Sequence, residues 1–245
     1  MRFDIVTLFP EMVASALGYG VIGRALDEGR LELVTWNPRD YADDTHRTVD
    51  DRPYGGGPGM VMKVAPLLAA IRAAREAAAP APVIYLSPEG AKLDGGRAQA
   101  LAQRSRVILL CGRYEGIDQR VIDLEVDMEL SIGDFVVSGG ELPALLVVDA
   151  VARHLPGVLG HAESAEQDAF SQGLLDCPHY TRPEVAEGQS VPQALLRGDH
   201  QAVARWRRRM AIGRTWEKRP DLLESRELSD EEQALLDDYR GDGTD

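Results

Sequence analysis

Short apolar runs, too brief for buried helices and separated by polar or helix-forming stretches, recur through the first half of the chain. They are Phe3 to Leu8, Leu31 to Trp36, Val83 to Leu86, Val107 to Cys111 and a shorter run near Val126 to Leu130. Runs of this kind read as strands covered on both faces. Between two of them lies the clearest helical periodicity, Val64 to Ala78, where Leu67, Leu68, Ile71 and the alanines form one face and Arg72, Arg75 and Glu76 the other. A second, more apolar helix is expected from about Leu142 to His154, ending before Pro156-Gly157. Strands alternating with helices predict an α/β fold, a parallel sheet with helices on both faces.

The pattern fails from Gly160 to about Arg182, where polar residues dominate, and beyond it the chain reads as helical. Asp199 is placed to cap a helix carrying Val203, Trp206 and Met210, and Ser229 with Glu232 has the spacing of a capping box for a last helix ending near Tyr239. The expected organisation is a larger domain over residues 1–160, a linker or active-site loop over 161–182, and a small all-helical domain with an acidic tail over 183–245. A hydrophobic share of 44% and a charged share of 27% exclude a disordered chain. The first apolar run contains Asp4 and no later run reaches about 18 uncharged apolar residues, so neither a secretion signal nor a membrane span is expected. Cys111 and Cys177 make no disulfide framework and lack zinc-site spacing, which fits a reducing cytoplasm.

A net charge of −13 argues at first against a nucleic-acid partner. Its distribution reverses that. Residues 197–219 carry Arg197, Arg205, Arg207, Arg208, Arg209, Arg214, Lys218 and Arg219 against Asp199 and Glu217, a local net of 8 − 2 = +6 with Trp206 and Trp216 interleaved. After Arg219, ten acids face only Arg226 and Arg240. A bounded basic patch of this kind is either a solvated helix face or a phosphate-binding surface.

Glycine-rich turns narrow the chemistry. Gly55-Gly56-Gly57-Pro58-Gly59 is followed by no Gly-Lys-Ser/Thr, which leaves a phosphate-loop nucleotide hydrolase a distant alternative, and Phe3 to Leu8 runs into Phe9-Pro10-Glu11 rather than GxGxxG. Three strand-ending turns remain: Tyr85 to Gly90, Cys111 to Gly116, and Ser131 to Asp134 with Gly139 to Pro143. Each alone reads as a tight turn. Together, at the carboxyl ends of parallel strands, they describe a pocket whose backbone can approach a flat ligand closely.

His46 to Met60, Cys111 to Asp118, Ser131 to Pro143 and Leu174 to Pro183 resemble, in order and with few gaps, the TrmD family of tRNA (guanine-N1)-methyltransferases. The resemblance runs from Met1 to about Leu223. It implies a SPOUT-class fold with a deep trefoil knot, a homodimer, and methylation of N1 of the guanine just 3′ of the anticodon, position 37 of tRNA, with S-adenosylmethionine as donor. The family's cofactor contacts carry over to Tyr85, Leu86, Ser87, Gly112, Tyr114, Ile132, Gly133, Asp134, Phe135, Val136, Val137, Gly139, Gly140 and Pro143. Two positions depart from common family residues: Phe135, where many relatives have tyrosine, and Glu89, where a glutamine is common and an amide donor is lost.

By the same resemblance Asp168 is the general base that removes the N1 proton, and Arg153 the cation that stabilises charge on guanine O6. Taken alone, Asp168 reads as a solvated acid and Arg153 as an ordinary charge at a helix end. Glu115 is a lesser carboxylate candidate, linked to the magnesium dependence associated with the family; no ligand cluster is visible and no metal site is assigned. Asp50 and Pro58-Gly59 are candidates for base recognition, and Cys177 and His179 for RNA contact rather than nucleophilic chemistry. The basic patch would hold the anticodon stem-loop of tRNA while the target guanine leaves its stack. Two competing readings are a SPOUT methyltransferase acting on another RNA site and a noncatalytic RNA-binding module.

Overall fold

The computed structural model describes residues 1–160 and 168–242; residues 161–167 of the expected linker and the last three tail residues lie outside them. The chain divides into two units, Met1–Ala162 and Glu163–Asp245.

In the first unit, five strands form one sheet in the order β2-β1-β6-β5-β7, every neighbouring pair parallel. They are β1 (Arg2–Val6), β2 (Glu32–Trp36), β5 (Val83–Lys92), β6 (Arg106–Cys111) and β7 (Met128–Ser131). Two-residue strands β3 (Asp50–Asp51) and β4 (Val61–Met62) pair antiparallel at the base of the glycine-rich segment. Side-chain alternation explains the layers. On β6, Val107, Leu109 and Cys111 face one cluster and Ile108 and Leu110 the other; β5 divides the same way, Ile84 and Leu86 against Val83 and Tyr85. Helices α1 (Pro10–Leu17), α2 (Gly20–Asp27), α4 (Gly95–Ala102) and α6 (Glu141–Ala152) cover the first face, while α3 (Val64–Glu76) and α5 (Gln119–Glu125) cover the second. The central strand is therefore apolar along its whole length after Arg106, as the sequence predicts for a strand with no solvent face.

Strand β5 departs from the expected end at Leu86. It loops out of register after Leu86 and re-pairs through Ala91 and Lys92 with Leu130 and Ser131. Pro88 has no N–H to give a ladder, so the interruption falls where pairing is already impossible.

One acid breaks the apolar run of β1. Asp4 is fully buried and accepts from Arg2 Nε at 2.9 Å, Arg106 Nε at 2.7 Å and Trp36 Nε1 at 2.8 Å. Burial alone would raise its carboxyl; the hydrogen bonds from Arg2, Arg106 and Trp36 outweigh it and hold the group below the ordinary carboxylate range. Arg106 also donates to the carbonyls of Ala74 and Ala79, satisfying the carboxyl end of α3.

The second unit contains α7 (His200–Lys218), α8 (Pro220–Glu224) and α9 (Asp230–Asp242). It is not all-helical: β8 (Val185–Ala186) and β9 (Gln189–Ser190) form an antiparallel hairpin. Glu187 and Gly188 at its tip both take positive φ, 51° and 80°, the geometry of a two-residue turn that matches strand twist. Both expected caps form. Asp199 accepts from the N–H groups of Gln201 and Ala202, and Ser229 and Glu232 exchange hydrogen bonds at 3.0 and 3.2 Å.

The acidic tail is not simply solvated. Leu235 and Leu236 of α9 are buried with Leu174 and Ile212. Glu232 accepts from both Arg226 and Arg208, and Asp238 pairs with Arg209 at 3.0 Å. Two arginines of the basic patch are thus committed inside the unit. Burial opposes ionisation of Glu232, yet the Ser229 N–H and the Arg226 and Arg208 guanidinium groups bring it down to about 2. Its folded pKa lies below the ordinary 4.5, so it contributes stability above that pH, and the contribution is lost as pH falls from about 4.5 toward 2. Glu232→Gln is expected to remove about 2 kcal/mol from the second unit, and thermal melts from pH 7 to 3 should show the variant losing less stability on acidification than the parent.

Candidate active site

In a parallel sheet all carboxyl ends open on one edge, and here those of β5, β6 and β7 stand level, with Leu86 beside both Cys111 and Leu130. The turns leaving them enclose a cleft of about 140 Å³. Tyr85, Leu86, Ser87, Gly112, Tyr114, Ile132, Gly133, Phe135, Val136, Val137, Gly139, Gly140 and Pro143 all line it. Asp134 does not; its exposed carboxylate pairs with Lys92 at 2.5 Å.

Two glycines are required by shape. At Gly140 a Cβ would lie 2.6 Å from the Cα of Cys111, a backbone atom that has nowhere to go, and Gly140 N–H donates to Gly112 O at 2.9 Å. Gly133 takes φ 144°, which side chains other than glycine rarely adopt, and its N–H and carbonyl both bond the hydroxyl of Ser131 at 3.1 Å. The walls are mainly backbone and apolar side chains, with Phe135, Val136 and Tyr114 exposed. Tyr114 sits at φ 61°; burial and the neighbouring Asp50 raise its hydroxyl above the usual range, and that hydroxyl hydrogen-bonds Asp50. The Gly59 turn packs against Glu115, which also lines the cleft. Asp50 and Gly59 therefore adjoin residues of this cleft.

A polar anchor that the sequence analysis did not single out holds the turns together. Glu141, the first residue of α6, is fully buried, accepts from Thr7 Oγ1 at 2.7 Å and pairs with Arg113 Nε at 2.8 Å. Arg113 also donates to Ser138 O at 3.1 Å, stacks 4.4 Å above the Phe9 ring and pairs antiparallel with Gly139. The sequence hint is an acid opening a helix in which Asp149 is the one other charged residue before Arg153.

The remaining candidates lie elsewhere. Arg153 is the C-cap residue of α6, half-buried, one helix length or about 18 Å from the Gly140 end. Asp168 belongs to the second unit, where it lines a different cleft with Gln172, Leu175, Asp176, Cys177, His179, Arg207 and Arg208. Cys111 is fully buried, and desolvation beside Glu141 drives its thiol far up, which excludes it as a nucleophile. Trp206 packs against Tyr180 with ring centroids 6.1 Å apart, and Trp216 lies under Arg240. Among the described residues no helix is long and apolar enough to cross a membrane.

Residues 1–225 match the family described as tRNA (Guanine-1)-methyltransferase TrmD. Similar curated proteins include the tRNA (guanine-N(1)-)-methyltransferases of Halorhodospira halophila, 61% identical over 97% of this chain and 90% of that protein, and of Alcanivorax borkumensis, 61% identical over 96% and 91%. That of Methylococcus capsulatus is 60% identical over 98% of this chain and 96% of its own length. Matches of this extent leave room for one assignment, and the chain belongs to the TrmD family of tRNA (guanine-1)-methyltransferases.

Proposed function

We propose that the chain transfers the methyl group of S-adenosylmethionine to N1 of the guanine immediately 3′ of the anticodon, position 37 of tRNA. The observation that carries this reading is the backbone-walled cleft at the carboxyl edge of β5, β6 and β7, in a chain about 60% identical to proteins named tRNA (guanine-N(1)-)-methyltransferase. The cleft suits a nucleoside without phosphates: apolar walls at Leu86, Ile132 and Pro143 for a base, backbone groups at Gly112, Gly133 and Gly140 for polar atoms, and no lysine cradle. Bound there, the sulfonium supplies a methyl group already activated by positive charge. Guanine N1 carries a proton and is a poor nucleophile until it leaves. Asp168 takes that proton, and the Arg153 guanidinium compensates the charge that gathers on O6.

Residues 1–160 would then be the catalytic domain, 161–182 the active-site loop and 183–245 the tRNA-binding domain, all acting in the cytoplasm. The family's trefoil knot belongs to this proposal, and it rests on the match of residues 1–225 to the family. So does the homodimer. Phe9, Met12, Leu142 and Leu146, on or next to the neighbouring helices α1 and α6, are exposed and would be covered by a second copy. A site shared between subunits also brings Arg153 into use although its own chain's cleft lies at the other end of α6. Magnesium fits as an accessory, with Glu115 as the carboxylate on the cleft.

Methyl-labelled S-adenosylmethionine incubated with unmodified transcripts carrying guanine or adenine at that position tests the whole reading. N1-methylguanosine should form only in the guanine transcript. Transfer to another nucleoside would favour a different RNA site, and none to either would favour a binding module. Mixed dimers of Arg153→Ala and Asp168→Ala subunits should regain activity, because one of the two sites then keeps both residues; none whatever would rule out a shared site. Gly140→Ala should weaken cofactor binding by at least about tenfold by titration calorimetry, equivalent to ~1.4 kcal/mol.

A further inference from the structure

Among the described residues, one group outside the glycine cleft gathers three metal-ligating atoms of different kinds. The Asp176 carboxylate, the Cys177 thiol and the His179 imidazole place one ligand atom each within 4.8 Å of one another. We propose that Asp176, Cys177 and His179 form a binding site for a thiophilic divalent transition ion, Zn²⁺ before others. The donor set decides the metal. One sulfur, one imidazole nitrogen and one carboxylate oxygen suit zinc and its neighbours, whereas magnesium and calcium seek oxygen alone.

One edge of the group already stands near the spacing such an ion needs. His179 Nε2 lies 2.9 Å from Asp176 Oδ2, and ligand atoms at tetrahedral corners with bonds of ~2.0 Å stand about 3.3 Å apart. The hydrogen bond between them opens by a few tenths of an ångström to admit the ion. Asp176 Oδ1 already accepts the Cys177 N–H at 2.6 Å, which fixes the carboxylate's orientation. All three residues line one cleft of about 590 Å³, so a fourth position is open to water. On binding, the Cys177 S–H bond breaks, a sulfur–metal bond forms and the proton goes to solvent, with no electron transferred. Carboxylate and thiolate together match the ion's charge. Arg207 in the same cleft opposes it, which makes the site exchangeable rather than structural.

Cobalt(II) added to the reduced, chelator-treated full chain reports the site directly. A thiolate-to-cobalt charge-transfer band in the near ultraviolet should rise to one equivalent and be displaced by Zn²⁺. Cys177→Ser should abolish the band, and His179→Gln should weaken cobalt binding by at least roughly tenfold. The only other thiol, Cys111, is fully buried, so the Cys177 variant assigns the band. A wild-type protein without the band, or a Cys177→Ser protein that keeps it, would overturn the proposal.

Discussion

Asp168→Ala should lower the single-turnover rate of methyl transfer by roughly 10²–10⁴-fold while changing S-adenosylmethionine affinity by less than about twofold. The separation follows from where the residue stands. Asp168 is not among the residues that line the glycine cleft, so on the proposed role removing its carboxylate deletes a proton acceptor without changing the cofactor walls. A loss confined to the chemical step is the signature of an interaction made only in the transition state. Arg153→Ala should likewise act on the rate, by about 10²–10³-fold if it compensates charge on O6. Rapid-quench kinetics with saturating tRNA measures both. If Asp168→Ala kept more than a tenth of the rate, the base would be another group, and Glu115 on the cleft would be next to test.

The largest effect on stability is expected at Glu141. Glu141→Ala leaves the Arg113 guanidinium without its carboxylate and the Thr7 hydroxyl without its acceptor, both beside a core that admits little water. Breaking a buried pair from one side costs about 3–5 kcal/mol, so the urea midpoint of the first unit should fall steeply. Glu141→Gln keeps the shape and the acceptor for Thr7, and should lose about half as much. Because Arg113 also holds Ser138 and Gly139, the alanine variant should bind S-adenosylmethionine more weakly even where it stays folded. A change under about 1 kcal/mol would mean that the anchor is replaceable by water.

The five strands were legible from their short apolar runs, most completely in β6, which is covered on both faces and apolar after Arg106. Their ends differ by a residue or two from the expectation, except at β5, where a proline bulge reads as a stop although pairing resumes at Ala91. Helices α1, α2 and α4 escaped notice because each spans eight residues and α4 opens on Gly95-Gly96, so no periodic stretch stands out. The glycine turns were legible as a pocket; their anchor was not. Thr7 and Glu141 are 134 residues apart, and no local pattern distinguishes a buried acid at a helix start from a solvated one. The acids of α9 hid in the same way, since only Leu235-Leu236 marks the side that packs.

The docking of α9 on α7 also limits what a tRNA bound to this surface, as proposed, can release. Phosphate binding expels counterions in proportion to the cations it meets, and the logarithm of affinity falls with the logarithm of salt by about 0.9 for each duplex phosphate neutralised. Arg208 and Arg209 carry intramolecular partners and Arg219 is paired with Asp221, so these positions hold few ions to expel. Of the eight cations that leaves Arg197, Arg205, Arg207 and Lys218, which face solvent, and the half-buried Arg214, so on the proposed function the salt dependence of binding should count these five at most. On the proposed function, an enzyme with so shallow a dependence would keep its grip as ionic strength rises and draw more of its selectivity from the shape of the tRNA.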